Sequence, residues 1–177
     1  DTVTIQGTKV VSATGGLVLT GVGYNPPRNW LVDLSSDTII FGTGNGNNLC
    51  GLKINGGDSR HWPKDIIVQG GNLIHAPTIV NDTSVAQDNL CVQLGGNRLT
   101  LKNVNMTAAG YNGKCATAYG YNIEISGGRY KSNVNYYRSR CQFDATIIGA
   151  EVSYDPLYAA DSGYSYNLKV HEIKMSG

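Results

Sequence analysis

The chain has 177 residues, a net charge of +1 and only 15% charged side chains. It is long enough for one domain with a substantial core, and its weak charge imbalance offers no polyanion-binding face, which argues against a nucleic-acid partner. Glycine contributes 23 residues and asparagine 17, against three glutamates and two methionines, a composition that starves helices and favours turns and left-handed backbone positions. No apolar run approaches the roughly 20 residues that a membrane helix needs. No leader-like segment is read at the start, so the chain is expected to be mature, trimmed or part of something longer.

Taken in chain order, one six-residue shape recurs: aliphatic, free, Gly or Asn, small, polar, large apolar. It appears as IQGTKV from Ile5, VQGGNL from Val68, LKNVNM from Leu101, ISGGRY from Ile125 and IIGAEV from Ile147, with looser copies from Ile40 (IFGTGN) and Val170 (VHEIKM). The starts lie 35, 28, 33, 24, 22 and 23 residues apart, regular in the second half and stretched in the first by insertions within residues 11–65. Short alternating segments precede the copies: TVTI, KDIIV, LTL, IEI and NLKV. Period-two alternation bounded by Gly, Asn, Asp or Pro is a strand signal, and a repeat of this length is the mark of a stacked coil.

These features predict an all-β fold in one domain, residues 1–177: a single parallel β-helix of about seven turns. Ile5, Val68, Leu101, Ile125 and Ile147 pile into one interior column, and the Gly/Asn position carries the backbone round a bend where a Cβ would strain it. The rival fold is an antiparallel sandwich, whose hairpins would need Asn45-Gly46, Asn55-Gly56 or Asn112-Gly113. Those pairs sit in longer polar stretches.

In this rung pattern the chain resembles, over nearly its whole length, the right-handed β-helix superfamily that includes pectate lyases, polygalacturonases and phage tailspikes. The resemblance implies a right-handed coil of three sheets, usually closed by a terminal cap. No amphipathic capping helix is read at either end here.

The fifth position of each copy is expected to point outward, giving the row Lys9, Gly44, Asn72, Asn105, Arg129, Glu151 and Lys174. That row predicts an Arg129–Glu151 surface ion pair and an amide ladder from Asn72 to Asn105. Four cysteines, Cys50, Cys91, Cys115 and Cys141, form no CxxC pair, and the histidines are scattered, so no metal site and no cofactor are expected. The even count suggests two disulfides in an oxidising compartment, with three pairings open; four buried thiols is the alternative. Sequons at Asn81 and Asn105 make both asparagines glycosylation candidates and agree with an extracellular, cell-surface or virion-surface setting.

Two segments offer binding groups. The insertion GDSRHWPKD, residues 57–65, presents Arg60, His61, Trp62 and Lys64. A tyrosine-rich stretch includes Tyr136, Tyr137, Arg138 and Arg140, whose rings and cations suit sugar rings, acidic sugars or a protein partner. Lateral packing is the plainer role for most of these aromatics. Polysaccharide cleavage would need a carboxylate pair or several acidic calcium ligands. Asp144, Glu151 and Asp155 come nearest and straddle one turn. The Asn-Thr-Asp, Asp-Asp and Gly-His-Gly motifs of polygalacturonases are missing, and Arg129-Tyr130-Lys131 matches their Arg-X-Lys element only in form. Lys102, Arg129 and Lys131 lie near one another in the expected stack and are the remaining basic set. No catalytic residue is assigned. The expected function is a non-enzymatic structural subunit of a filament or surface fibre whose copies stack head to tail. A polysaccharide-binding or polysaccharide-cleaving domain, acting as lyase or glycosidase, is the alternative.

Overall fold

The computed structural model describes residues 2–4, 7–20, 28–55, 63–79, 84–110, 113–132, 143–147, 169–171 and 174–175, and these contain strands and turns but no helix. The chain passes repeatedly over the same faces. A first layer holds β1 (Thr2–Thr4), β2 (Lys9–Val11) and β3 (Leu17–Thr20); a second holds β4 (Arg28–Asp33), β5 (Thr38–Phe41) and β6 (Cys50–Asn55). The third opens with β7 (Lys64–Gln69) and β8 (Asn72–His75). Strand β9 (Leu90–Lys102) closes that layer with its first half, against β6, and opens the next with its second half, against β7. Then come β10 (Asn105–Ala108), the long β11 (Lys114–Ser126), β12 (Arg129–Ser132), β13 (Phe143–Ile147), β14 (Lys169–His171) and β15 (Lys174–Met175).

Every pairing among the described strands is parallel, which overturns the antiparallel sandwich. One sheet has six strands in the order β15-β12-β10-β8-β5-β2. The other, of nine strands, curls strongly because β9 and β11 each run across two faces that β6 and β7 cover separately. The described strands make six layers where the recurring shape suggests about seven.

The expected pile is present in part. Val68, Leu101 and Ile125 are successive Cα partners, and Val3 with Val32 extends the column on one side and Val170 on the other. Ile147 instead lies opposite Gly120 on another face, Ile40 lies in the six-stranded sheet opposite Val11 and Ile74, and Ile5 is outside the described residues. The cause is a change of corner length. From Val3 to Lys9 and from Val32 to Thr38 the chain takes two residues more than from Val68 to Asn72 or Leu101 to Asn105, although each pair joins the same two columns. A fixed six-residue template therefore slips in the first layers.

The short corner needs left-handed backbone. Gly70 and Gly71 have φ of 69° and 84°, and a Cβ on Gly71 would fall 2.7 Å from the Cβ of Leu34 in the layer beside it. Asn103 adopts the same hand at φ 54° after Lys102, as asparagine tolerates. A second bend uses one left-handed residue per layer: Asn29, Asp65 and Arg98, at φ 56°, 59° and 55°, each lying between register-paired neighbours. Between the bends, inward side chains form columns. Leu52 pairs with Val92, Ile54 with Leu94, Ile66 with Leu99, Val32 with Val68, and Ile39 with Leu73, all in one buried cluster.

Candidate functional site

Most residues singled out from sequence lie outside the described residues: Arg60, His61, Trp62, Tyr136, Tyr137, Arg138, Arg140, Asn81 and Cys141. The flanks of the 57–65 insertion are described. Lys64 and Asp65 belong to β7 rather than to a loop, and Asp65 takes a bidentate ion pair from Arg98 on β9, with Arg98 Nη2 donating to Oδ2 at 2.7 Å. The guanidinium holds the Asp65 carboxyl below its ordinary range.

The cysteines divide between the two expectations: Cys115 is disulfide-bonded, while Cys50 and Cys91 are free thiols. Cys91 occupies the strand between Gly51 and Cys115 and donates from Sγ to the Thr107 carbonyl at 3.3 Å; Cys50 donates to the Leu52 carbonyl at 2.9 Å. Burial pushes the Cys50 thiol up to about 12 and that of Cys91 higher still. Thiols held protonated in this way are poor nucleophiles and metal ligands. Among the described residues no group of His, Cys, Asp or Glu converges as a metal site.

The register of the expected row is kept by Lys9, Asn72, Asn105 and Arg129, but its second member is Thr38 and not Gly44. Lys174, not Glu151, takes the place opposite Arg129, and Glu151 lies outside the described residues. The amide ladder is present: Asn105 Nδ2 donates to Asn72 Oδ1 at 3.0 Å, Asn72 Nδ2 donates to Thr38 Oγ1 at 3.4 Å, and the Arg129 amide closes on Asn105 Oδ1 at 3.0 Å. The Asn105 amide thus has protein partners on both sides. Lys102 lies beside Gln69 and Ser126 in the curled sheet while Arg129 is in the other sheet, so the basic set is divided between faces. Asp144 lies opposite Thr117.

A polar group that the sequence did not flag sits in the buried interior. His75 is buried in the inward column between Phe41, whose ring stacks on it at 5.0 Å, and the small Ala108. Its Nδ1 is 2.8 Å from the Ala109 carbonyl. A carbonyl only accepts, so Nδ1 carries the hydrogen and Nε2 accepts from Asn89 Nδ2 at 3.1 Å. Asn89 spends its second hydrogen on the Gly46 carbonyl at 3.0 Å, and its Oδ1 accepts the Leu49 amide at 2.6 Å. Burial drives the His75 pKa down to about 4, opposed by the Ala109 bond. Asn45 and Asn47 fasten the same turn from outside, to Thr78 and Ile79 and to Gln87. The arrangement ties the long connection after β5 to the one after β8 and acts as a fastener between them.

The surface that remains is the first layer. Among the described residues strand β2 ends its sheet, and β1 and β3 each pair on one side only. Val10 belongs to the inward column of Ile39, Leu73 and Met106, yet it is 38% exposed, and Val11 and Val18 are 61% and 53% exposed. Among the described residues no helix is long and apolar enough to cross a membrane. Searches of protein-family models, of curated proteins and of solved structures gave no match to this chain, so its reading rests on its own residues.

Proposed function

We propose that the chain is a non-enzymatic structural protein, a right-handed parallel β-helix of the superfamily it resembles in rung pattern, whose copies associate through their end layers into a filament or surface fibre. Right-handedness is the hand that parallel strands of one sheet joined by a crossover adopt in about 98% of cases. One observation carries the functional reading: among the described residues the first layer pairs three strand edges on one side only, and Val10, an inward position, is 38% exposed. Unpaired edges of this kind are templates for strand addition, and the parallel register of the described strands supports one way of continuing. A partner layer that carried on the register would set Met175 against Val10 and Lys174 against Lys9. The contact is heterologous, and because it would add each copy along the stacking direction it would extend into fibres rather than close into a ring. Two lysines one strand apart, at about 4.8 Å, repel, and salt screens that repulsion.

Sedimentation of the purified chain against concentration and salt tests this reading, with electron microscopy of the heavy fraction. Growth into fibres that is promoted by salt and weakened by Val10→Asp supports it. A chain that stays monomeric at high concentration and high salt ends it.

A further inference from the structure

Between the first and second layers lies a cavity of about 120 Å³, lined by Thr8, Val10, Leu17, Leu34, Asp37 and Ile39. Its walls are aliphatic except at Thr8 and Asp37. Asp37 is 2% exposed. Its Oδ1 accepts the Thr8 amide at 2.7 Å, and its Oδ2, equally buried, has no hydrogen-bond partner among the described residues.

An unpaired buried carboxylate oxygen is among the least favourable groups a core holds. Water is a poor remedy here, because a buried water needs two to four polar partners and this wall supplies few. A metal is no better, since no group of three acidic, His or Cys ligands converges among the described residues. The group that suits one free carboxylate oxygen at the end of an aliphatic chamber is a cation with a hydrocarbon tail. The volume suits roughly four to six carbons, given that an apolar cavity of about 150 Å³ takes up benzene.

We propose that this cavity binds a small primary alkylammonium, with the carbon chain against Val10, Leu17 and Ile39 and the ammonium donating to Asp37 Oδ2. The inference does not require the chain to assemble. Its ammonium has two sources, a free amine or the side chain of a lysine from another copy, and the test separates them.

The whole chain is titrated with n-butylammonium chloride, with n-butanol and sodium chloride as controls, and read by amide chemical shifts and thermal midpoint. Saturable shifts at Thr8, Gly16 and Asp37 are expected at millimolar butylammonium, with at least tenfold weaker response to butanol. Asp37→Asn keeps an acceptor for the Thr8 amide and removes the charge. It is expected to weaken butylammonium binding at least tenfold while leaving the free protein folded and no less stable. Leu17→Phe fills the chamber and is expected to block binding with the carboxylate intact. Dispersal of multimers by butylammonium assigns the occupant to a lysine of another copy; binding without change in sedimentation assigns it to a free amine. Absence of saturable shifts, equal binding of butanol, or unchanged binding by Asp37→Asn overturns the proposal.

Discussion

Val10 and Leu73 hold the same inward place in one sheet, two strands apart, yet Val10 is 38% exposed and Leu73 0%. The chain around each is alike: an outward polar residue precedes it, and Ile39 in β5 lies between them. What differs is the number of covered sides. In a stacked coil each layer is roofed by the next, so burial belongs to the stack and not to the residue. The first layer has the inward chemistry of a core and the accessibility of a surface, and that mismatch supports both the assembly reading and the ammonium site.

The sharpest way to break this comparison is to truncate both residues. Leu73→Ala is expected to lose about 2–5 kcal/mol, because its neighbours on both strands are held and the void stays open, whereas Val10→Ala is expected to lose under about 1 kcal/mol. Urea unfolding of the two variants measures it, and equal losses would mean that the first layer is as closed as the third.

The next effect concerns the fastener. His75 is neutral in the folded chain, with a pKa of about 4, and near 6.5 when unfolded. The unfolded state therefore binds the extra proton first as pH falls. Stability is complete above about pH 6.5 and is lost progressively down to about pH 4, by up to about 3 kcal/mol. Unfolding free energy followed from pH 7.5 to 4.5 checks it. His75→Phe should flatten that slope while lowering the plateau, since Asn89 Nδ2 then loses a partner.

A smaller change tests the corner. Gly71→Ala places a Cβ against Leu34 at a left-handed φ of 84° and is expected to destabilise by about 1–3 kcal/mol. Gly7 shares the left-handed region at φ 60° but has nothing within 4 Å of an added Cβ, so Gly7→Ala separates backbone strain from the Leu34 contact and is expected to cost less. The smallest effect falls on the outward ladder. Asn105→Ala should cost about 1–2 kcal/mol, two ordinary hydrogen bonds, to Asn72 and from the Arg129 amide, whose groups can turn to solvent.

The all-β class and the parallel stacking were legible because they depend on local chemistry. Val68-Gln69-Gly70-Gly71 announces alternation ending in a residue that bends left-handed, and Leu101-Lys102-Asn103 repeats it one layer on. The slip at Ile40 arose where the corner gains two residues, because no feature of Ser35-Ser36-Asp37 marks it as the counterpart of a glycine pair. Arg98 at a left-handed bend was equally hidden, since arginine carries no preference for that conformation and is placed there by the strands on either side.

The site candidates fared differently from the strands for a related reason. Exposed, chemistry-bearing types such as Trp62 or Arg138 draw notice by their type alone, and those residues lie outside the described part of the chain. His75, Asn89 and Asp37 drew little notice, because a histidine between Ile74 and Ala76 or an aspartate after two serines is ordinary in sequence.

What the amino-acid order determined alone is the local grammar: which residues alternate and where a glycine or asparagine bends the backbone left-handed, as at Gly70-Gly71 and Asn103, set by interactions within a few residues. What only the tertiary structure decided is which layers meet, and so that His75 is sealed between Phe41 and Ala108 while Asp37 Oδ2 is left facing no donor. Those outcomes join residues about thirty positions apart, and the free energy of burial is settled by the layer that covers a side chain, not by its neighbours in sequence.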